Sequence, residues 1–225
     1  MQIKTMEDVQ KSFAAKFLVY GGAGAGKTSL IRTLDGKVLI CSAEAGLLSI
    51  AGFKCDVAEI TSVEDMRDVH RLLSSNKHPY DWVVLDSLSE IAEQILAGEK
   101  ARTKDPRQAY GAVIDQTVAL CRAFRDLKCG VYFTAKEERV KDEGTGRMIH
   151  QISMPGARLS GQLPYLFDEV FRLVTVKEKD TGELQRWLQT QPEPTADAKD
   201  RSGKLDAYEA ADLGAIVRKI NHTGE

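Results

Sequence analysis

Gly21-Gly22-Ala23-Gly24-Ala25-Gly26-Lys27-Thr28 fills every fixed position of the pattern G-x-x-x-x-G-K-[ST]. The composition of that stretch has a chemical reason. Several backbone N–H groups must converge on phosphate oxygens, and a loop curled that tightly needs residues without bulky side chains. Lys27 supplies a charge for the β- and γ-phosphates, and the Thr28 hydroxyl a ligand for Mg2+. The flanking chain agrees with a phosphate loop rather than a chance Gly-rich turn. Lys16–Tyr20 (KFLVY) reads as a short strand, and Lys27–Leu34 as a helix whose positive N-terminus would face the phosphates. The stretch predicts a site for a purine nucleoside triphosphate, ATP with Mg2+, built from Gly21 to Thr28 together with Ser29.

Downstream, apolar runs alternate with helical periodicity. Lys37–Ser42, Asp56–Ile60, Trp82–Leu85 and Gly130–Thr134 read as strands, while Val63–Leu73 and Tyr110–Leu127 carry the apolar face of helices. That alternation predicts an α/β fold, a mostly parallel sheet flanked by helices on both faces. Glu169–Val176 and Leu184–Leu188 flank Asp180-Thr181-Gly182 and predict a C-terminal antiparallel hairpin. The expected organisation is a single domain over 1–225, with a core over about 16–190, a mobile loop over about 191–203 and a C-terminal helix over about 206–221. Lys136–Pro164 has little apolar periodicity, and so long an irregular stretch in a compact domain is expected to be functional or disordered.

With 43% hydrophobic and 28% charged residues, the composition is that of a soluble globular protein. No run approaches the length of a membrane span, and the N-terminus lacks an apolar signal core, so a cytoplasmic location is expected. The net charge of −2 means that nucleic-acid contact, if any, must come from local loops. Cys41, Cys55, Cys121 and Cys129 lack C-x-x-C spacing and each lies in an apolar run, which predicts buried small hydrophobes. His70, His78, His150 and His222 lack the spacing of a zinc site.

Asp86 closes the apolar run Trp82-Val83-Val84-Leu85, at the strand tip where open α/β sheets bind ligands. It is read as a Mg2+ ligand alongside Thr28, the alternative being an N-cap for the helix that starts near Ser87. Glu44, after the strand Val38–Cys41, could polarise the water that attacks the γ-phosphate, or could be a solvated acid at a helix start. No Asp-x-x-Gly follows the metal strand, where Asp86 leads into Ser87-Leu88-Ser89, and there is no Asn-Lys-x-Asp, so adenine is expected rather than guanine.

The order of these features resembles the RecA-like ATPases: a P-loop, a strand ending in Ala43-Glu44, an apolar strand ending in Leu85-Asp86-Ser87, a long helix, and a strand ending in a polar residue. Val131-Tyr132-Phe133-Thr134-Ala135-Lys136-Glu137-Glu138 is similar to the RecA-like single-strand annealing proteins (Sak type) among phage nucleotide-binding proteins. The resemblance covers most of Lys16–Lys177. It implies an ATPase, with Glu44 as the general base. It places Thr134 and Lys136 where RecA has a polar sensor, although RecA has glutamine there. It implies that Lys177 and Lys179, or Arg158 as a rival, could reach the γ-phosphate of a neighbouring subunit, against the alternative of lysines on an exposed hairpin edge.

The resemblance further implies single-stranded DNA as partner, a homo-oligomeric ring or filament, a single-strand DNA-binding protein as an additional partner, and the host cytoplasm as location if the chain is phage-encoded. Lys100, Arg102, Lys104 and Arg107, followed by Tyr110, would form a first DNA loop over Ala97–Arg107, and Arg139, Lys141 and Arg147 would belong to a second. A charge run is also what any solvated face shows, and Tyr110 also begins a helix stripe. Two other functions stay open on these residues: a P-loop kinase for a small molecule, with Lys136–Pro164 as its lid, and a nucleotide-dependent protein-interaction switch.

Overall fold

Along the apolar strands, neighbouring side chains point to opposite faces of the sheet, and both faces are covered. The structure is a computed structural model that describes residues 5, 14–44, 46–75, 77–179 and 181–221. The strands are β1 (Lys16–Gly21), β2 (Val38–Ser42), β3 (Asp56–Glu59), β4 (Trp82–Asp86), β5 (Gly130–Lys141), β6 (Met148–Ile152), β7 (Glu169–Lys177), β8 (Leu184–Gln189), β9 (Lys199–Asp200) and β10 (Tyr208–Ala210). The helices are α1 (Val63–Ser74), α2 (Leu88–Arg102), α3 (Pro106–Arg125), α4 (Ala157–Gln162) and α5 (Leu213–Asn221).

The sheet order is β10-β8-β7-β1-β5-β4-β2-β3, with β6 added to β5 and β9 to β7. β1 runs parallel to both β5 and β7, and β4 lies parallel between β5 and β2. β8 pairs antiparallel with β7 and β10. This is the expected α/β architecture, a mostly parallel sheet with antiparallel strands toward the C-terminus. Leu18, Leu39, Val83, Val131 and Phe133 face a core covered by α1, α2 and α3. Phe17, Val38, Val84, Tyr132 and Phe171 face the opposite core, covered by a 3-10 helix at Thr28–Thr33 and by α5. Helix starts follow local chemistry: Ser62 and Asp65 form a capping box for α1, and Asp105 caps α3 ahead of Pro106.

Several expectations are corrected. Lys136–Pro164 is ordered: β5 continues through Lys141 and turns back as β6, so most of the stretch is a β-ribbon followed by α4. Its outer residues are mostly polar, with Val140, Met148 and Ile149 among them, which erased the periodicity. The first basic stretch, 97–107, is not a loop, because α2 extends through Arg102 and only Thr103, Lys104 and Asp105 separate it from α3. Residues 191–203 are docked, with Ala196 buried and β9 paired to β7. The helix expected from 206 begins at Leu213, because Tyr208–Ala210 joins β8 as an edge strand. Asp180 of the hairpin turn and His222 lie outside the described residues. Cys41, Cys121 and Cys129 are buried and Cys55 only partly so, and burial pushes the Cys41 thiol up to about 12.

Candidate nucleotide site

β1, β2, β4 and β5 are parallel, so their C-terminal ends lie along one edge of the sheet, and the predicted chemistry collects there. β1 ends at Gly21, opposite Lys136 of β5, and Ser42 of β2 is opposite Asp86 of β4. The P-loop leaves β1 and turns through Gly24 and Gly26 at φ of 73° and 107°, left-handed values that glycine adopts without strain. A Cβ built on Gly22 or Gly24 would meet nothing within 4 Å, whereas one on Gly21 would stand 2.8 Å from the Leu173 carbonyl oxygen. The middle of the loop therefore has free space beside it, and its start is pressed against β7.

Lys27 folds back into the loop and donates to the Gly21 and Gly22 carbonyl oxygens at 2.8 and 3.1 Å. Burial lowers its pKa, against the pull of Asp86 and Glu44. The Tyr132 hydroxyl donates to the Lys27 carbonyl oxygen at 2.8 Å, so a fully buried β5 side chain props the loop from below. The expected helix Lys27–Leu34 is a 3-10 helix of 6 residues. A phosphate here would meet loop amides and Lys27 rather than the dipole of a long helix.

Asp86 is buried, and both carboxylate oxygens accept hydroxyl donors: Thr28 at 2.8 Å and Thr134 at 2.5 Å. Thr28 and Asp86, the two predicted metal ligands, are thus in direct contact. The donors are hydroxyl and carboxylate oxygens, the hard set that suits Mg2+, with substrate phosphates and waters completing its shell. Together with the open space at Gly22 and Gly24, this fits a Mg2+-bound nucleoside triphosphate. Asp86 caps no helix; Ser87 does, accepting from the Glu90 N–H at 3.3 Å.

Glu44 lies beside this pair. The Glu44 N–H donates to the Asp86 carbonyl oxygen at 3.4 Å, and the Ser87 hydroxyl donates to Glu44 Oε1 at 2.5 Å. Lys136 Nζ stands 3.6 Å from Glu44 and 2.7 Å from Glu90, and its hydrogen bond to Glu90 raises its pKa. Thr134 is a hydroxyl partner of the metal-site carboxylate and Lys136 an ion-pair partner of the candidate base.

The other predicted residues lie outside this cluster. Lys177 and Lys179 are exposed at the β7–β8 tip, and Arg158 is exposed on α4. Arg139, Lys141 and Arg147 are exposed on the β5–β6 ribbon; Lys100, Arg102, Lys104 and Arg107 are exposed around the α2–α3 corner, where Arg102 pairs with Glu99. Lys100 Nζ sits 5.4 Å from the centre of the Tyr110 ring, and a Cβ at Gly156 would stand 3.7 Å from that ring, so the corner and the segment after β6 adjoin. Sequence reasoning missed Tyr132, which looked like one more core residue, and Arg186 of β8, whose Nε donates to the Ala25 carbonyl oxygen at 2.9 Å. No local signal marks either, because both reach the loop through sheet pairing.

The sequence profile described as AAA domain (AAA_24) matches residues 14–202. No curated protein matches the chain. Among solved structures, a KaiC-like protein, PH0186, from the hyperthermophilic archaeon Pyrococcus horikoshii OT3 superposes with a TM-score of 0.46 and 15% identity, over 83% of this chain and 81% of that one. The profile spans the P-loop, Glu44, Asp86 and the strands that carry them, and the chain belongs to the AAA domain family, with the fold of a P-loop ATPase.

Proposed function

We propose that this protein hydrolyses ATP and uses the reaction to control its hold on single-stranded DNA, as an oligomer that promotes annealing or strand exchange. The observation that carries the ATPase half is the contact set Thr28–Asp86–Thr134 with Glu44 held next to it by Ser87. Lys27 and the loop amides hold the β- and γ-phosphates. Thr28 and Asp86 would hold Mg2+, which when bound would supply positive charge to offset that of the phosphates. Glu44 accepts a proton from the water whose oxygen attacks the γ-phosphorus, and ADP leaves with the bridging oxygen. Ser87 and Lys136 fix the carboxylate's orientation without occupying both of its oxygens.

The DNA half is supported by continuity of one strand. β5 passes from Thr134 and Lys136 at the site to Arg139 and Lys141 on the exposed ribbon, so a shift at the γ-phosphate has a covalent path to cations that can meet a DNA backbone. Lys177, Lys179 or Arg158 from a neighbouring copy would supply the remaining transition-state charge.

Phosphate release by wild type, Lys27→Ala and Glu44→Gln tests the first half. Glu44→Gln should lower turnover by about 10²- to 10⁴-fold while retaining ATP binding, and Lys27→Ala should lose binding. Equal turnover in Glu44→Gln and wild type would remove Glu44 as base. Fluorescence polarisation of labelled single-stranded DNA at low salt, with and without Mg-ATP, tests the second half; no binding in either condition would leave an ATPase without a DNA role.

A further inference from the structure

Arg186 touches the P-loop from outside. It lies on β8, opposite Thr175 of β7, two strands away from β1. Its Nε donates to the Ala25 carbonyl oxygen at 2.9 Å. A Cβ on Gly26 would fall 2.7 Å from that Nε and 3.1 Å from Cδ, so the side chain lies directly against the bare Gly26 Cα. The last glycine of the motif thus leaves room for an arginine as well as for a tight turn.

The Ala25 carbonyl and the Gly26 N–H belong to one peptide unit. In a trans peptide they point in opposite directions. A cation bonded to the carbonyl end therefore stands behind an N–H that faces away from it. Among the described residues, the Gly26 N–H donates to no protein acceptor. That donor lies in the segment G-K-T that cradles phosphate oxygens. A charge-assisted bond at the carbonyl polarises the whole peptide and makes its N–H a stronger donor, and it also fixes the plane of the peptide.

We propose that Arg186 is a positioning residue of the nucleotide site, acting in cis through the Ala25–Gly26 peptide to orient and polarise the Gly26 N–H toward a bound phosphate. The inference rests on the nucleotide-binding reading. It also gives the β7–β8 hairpin a mechanical hold on the P-loop, so displacement of that hairpin loosens the phosphate cradle.

The test is binding of Mg-ATP and Mg-ADP by titration calorimetry to wild type, Arg186→Ala, Arg186→Gln, Arg186→Lys and Lys27→Ala. Melting temperatures are measured without nucleotide. Arg186→Ala should bind Mg-ATP about tenfold more weakly, as expected for loss of a charge-assisted bond. Its nucleotide-free melting temperature should stay within about 2 °C of wild type, because the side chain is exposed. Arg186→Lys keeps the charge and should recover most of the affinity, whereas Arg186→Gln keeps an N–H donor without charge and should recover little. Affinity within twofold of wild type for Arg186→Ala overturns the proposal, as does full recovery by Gln but not by Lys. If wild type binds no nucleotide and matches Lys27→Ala, the nucleotide reading itself fails and this inference with it, an outcome distinct from a normal wild type with an unaffected Arg186→Ala.

Discussion

Asp86 and Glu169 are both buried carboxyl groups on sheet strands, and their hydrogen bonding separates them. Asp86 accepts from two hydroxyl donors, Thr28 and Thr134, so both of its buried oxygens have hydrogen-bond partners. Glu169 accepts from the Ser202 N–H at 3.3 Å and shares a side-chain hydrogen bond with the acidic Asp200 rather than with a hydroxyl donor. Burial, then the neighbouring Asp200 charge, pushes Glu169 up to about 8 from an ordinary 4.5. Between those values the native state binds more protons than the unfolded chain, so this group's contribution is complete below pH 4.5 and is lost as pH rises through 8. Urea midpoints measured between pH 5 and 8 should therefore fall with pH in wild type more steeply than in Glu169→Gln, which stays neutral. Equal slopes would show that the Glu169 proton plays no part.

At the scale of elements, α5 is docked on the P-loop's own 3-10 helix. Leu213 N donates to the Thr33 hydroxyl at 2.9 Å, and Arg218 pairs with Asp35 at 2.6 Å. Gly214 permits this approach: a Cβ there would stand 2.4 Å from the Thr33 carbonyl oxygen. Gly214→Ala must push the two elements apart. It should cost about 1–3 kcal/mol in denaturant unfolding, as overpacking does, even though alanine favours the helix. An unchanged midpoint would mean that the interface opens freely. The apolar stripe Leu213, Ile216 and Ile220 was readable from spacing alone, but the target of that stripe was not, since periodicity marks a face without naming what covers it.

For the whole molecule, the nucleotide site is assembled from segments that meet only in the fold: the P-loop after β1, Glu44 after β2, Asp86 on β4 and Lys136 on β5. A ligand that bridges them stabilises the native state in proportion to its affinity. Mg-ATP at about 100 times its dissociation constant should add about 2.7 kcal/mol, which raises the melting temperature of a chain this size by roughly 5–10 °C. The shift should vanish in Lys27→Ala and require Mg2+ in wild type. A shift of the same size in Lys27→Ala would place the nucleotide elsewhere.

How much of this was legible beforehand follows from the range of the interactions. The P-loop, the buried strands and Asp86 at a strand tip are local signals, since loop curvature, strand burial and the catalytic edge of a parallel sheet are written within a few consecutive residues. The continuation of β5 into a ribbon, the docking of 191–203 and the edge strand Tyr208–Ala210 were not legible. Those segments are polar, and they are held by backbone hydrogen bonds to distant strands rather than by apolar spacing. The same holds within the site. Residues 21–28 name the phosphate and Lys27, but Tyr132 on the Lys27 carbonyl and Arg186 on the Ala25 carbonyl come from 105 and 161 residues away along the chain. Their role comes from sheet register, a property of how strands pair, which no short stretch of residues contains.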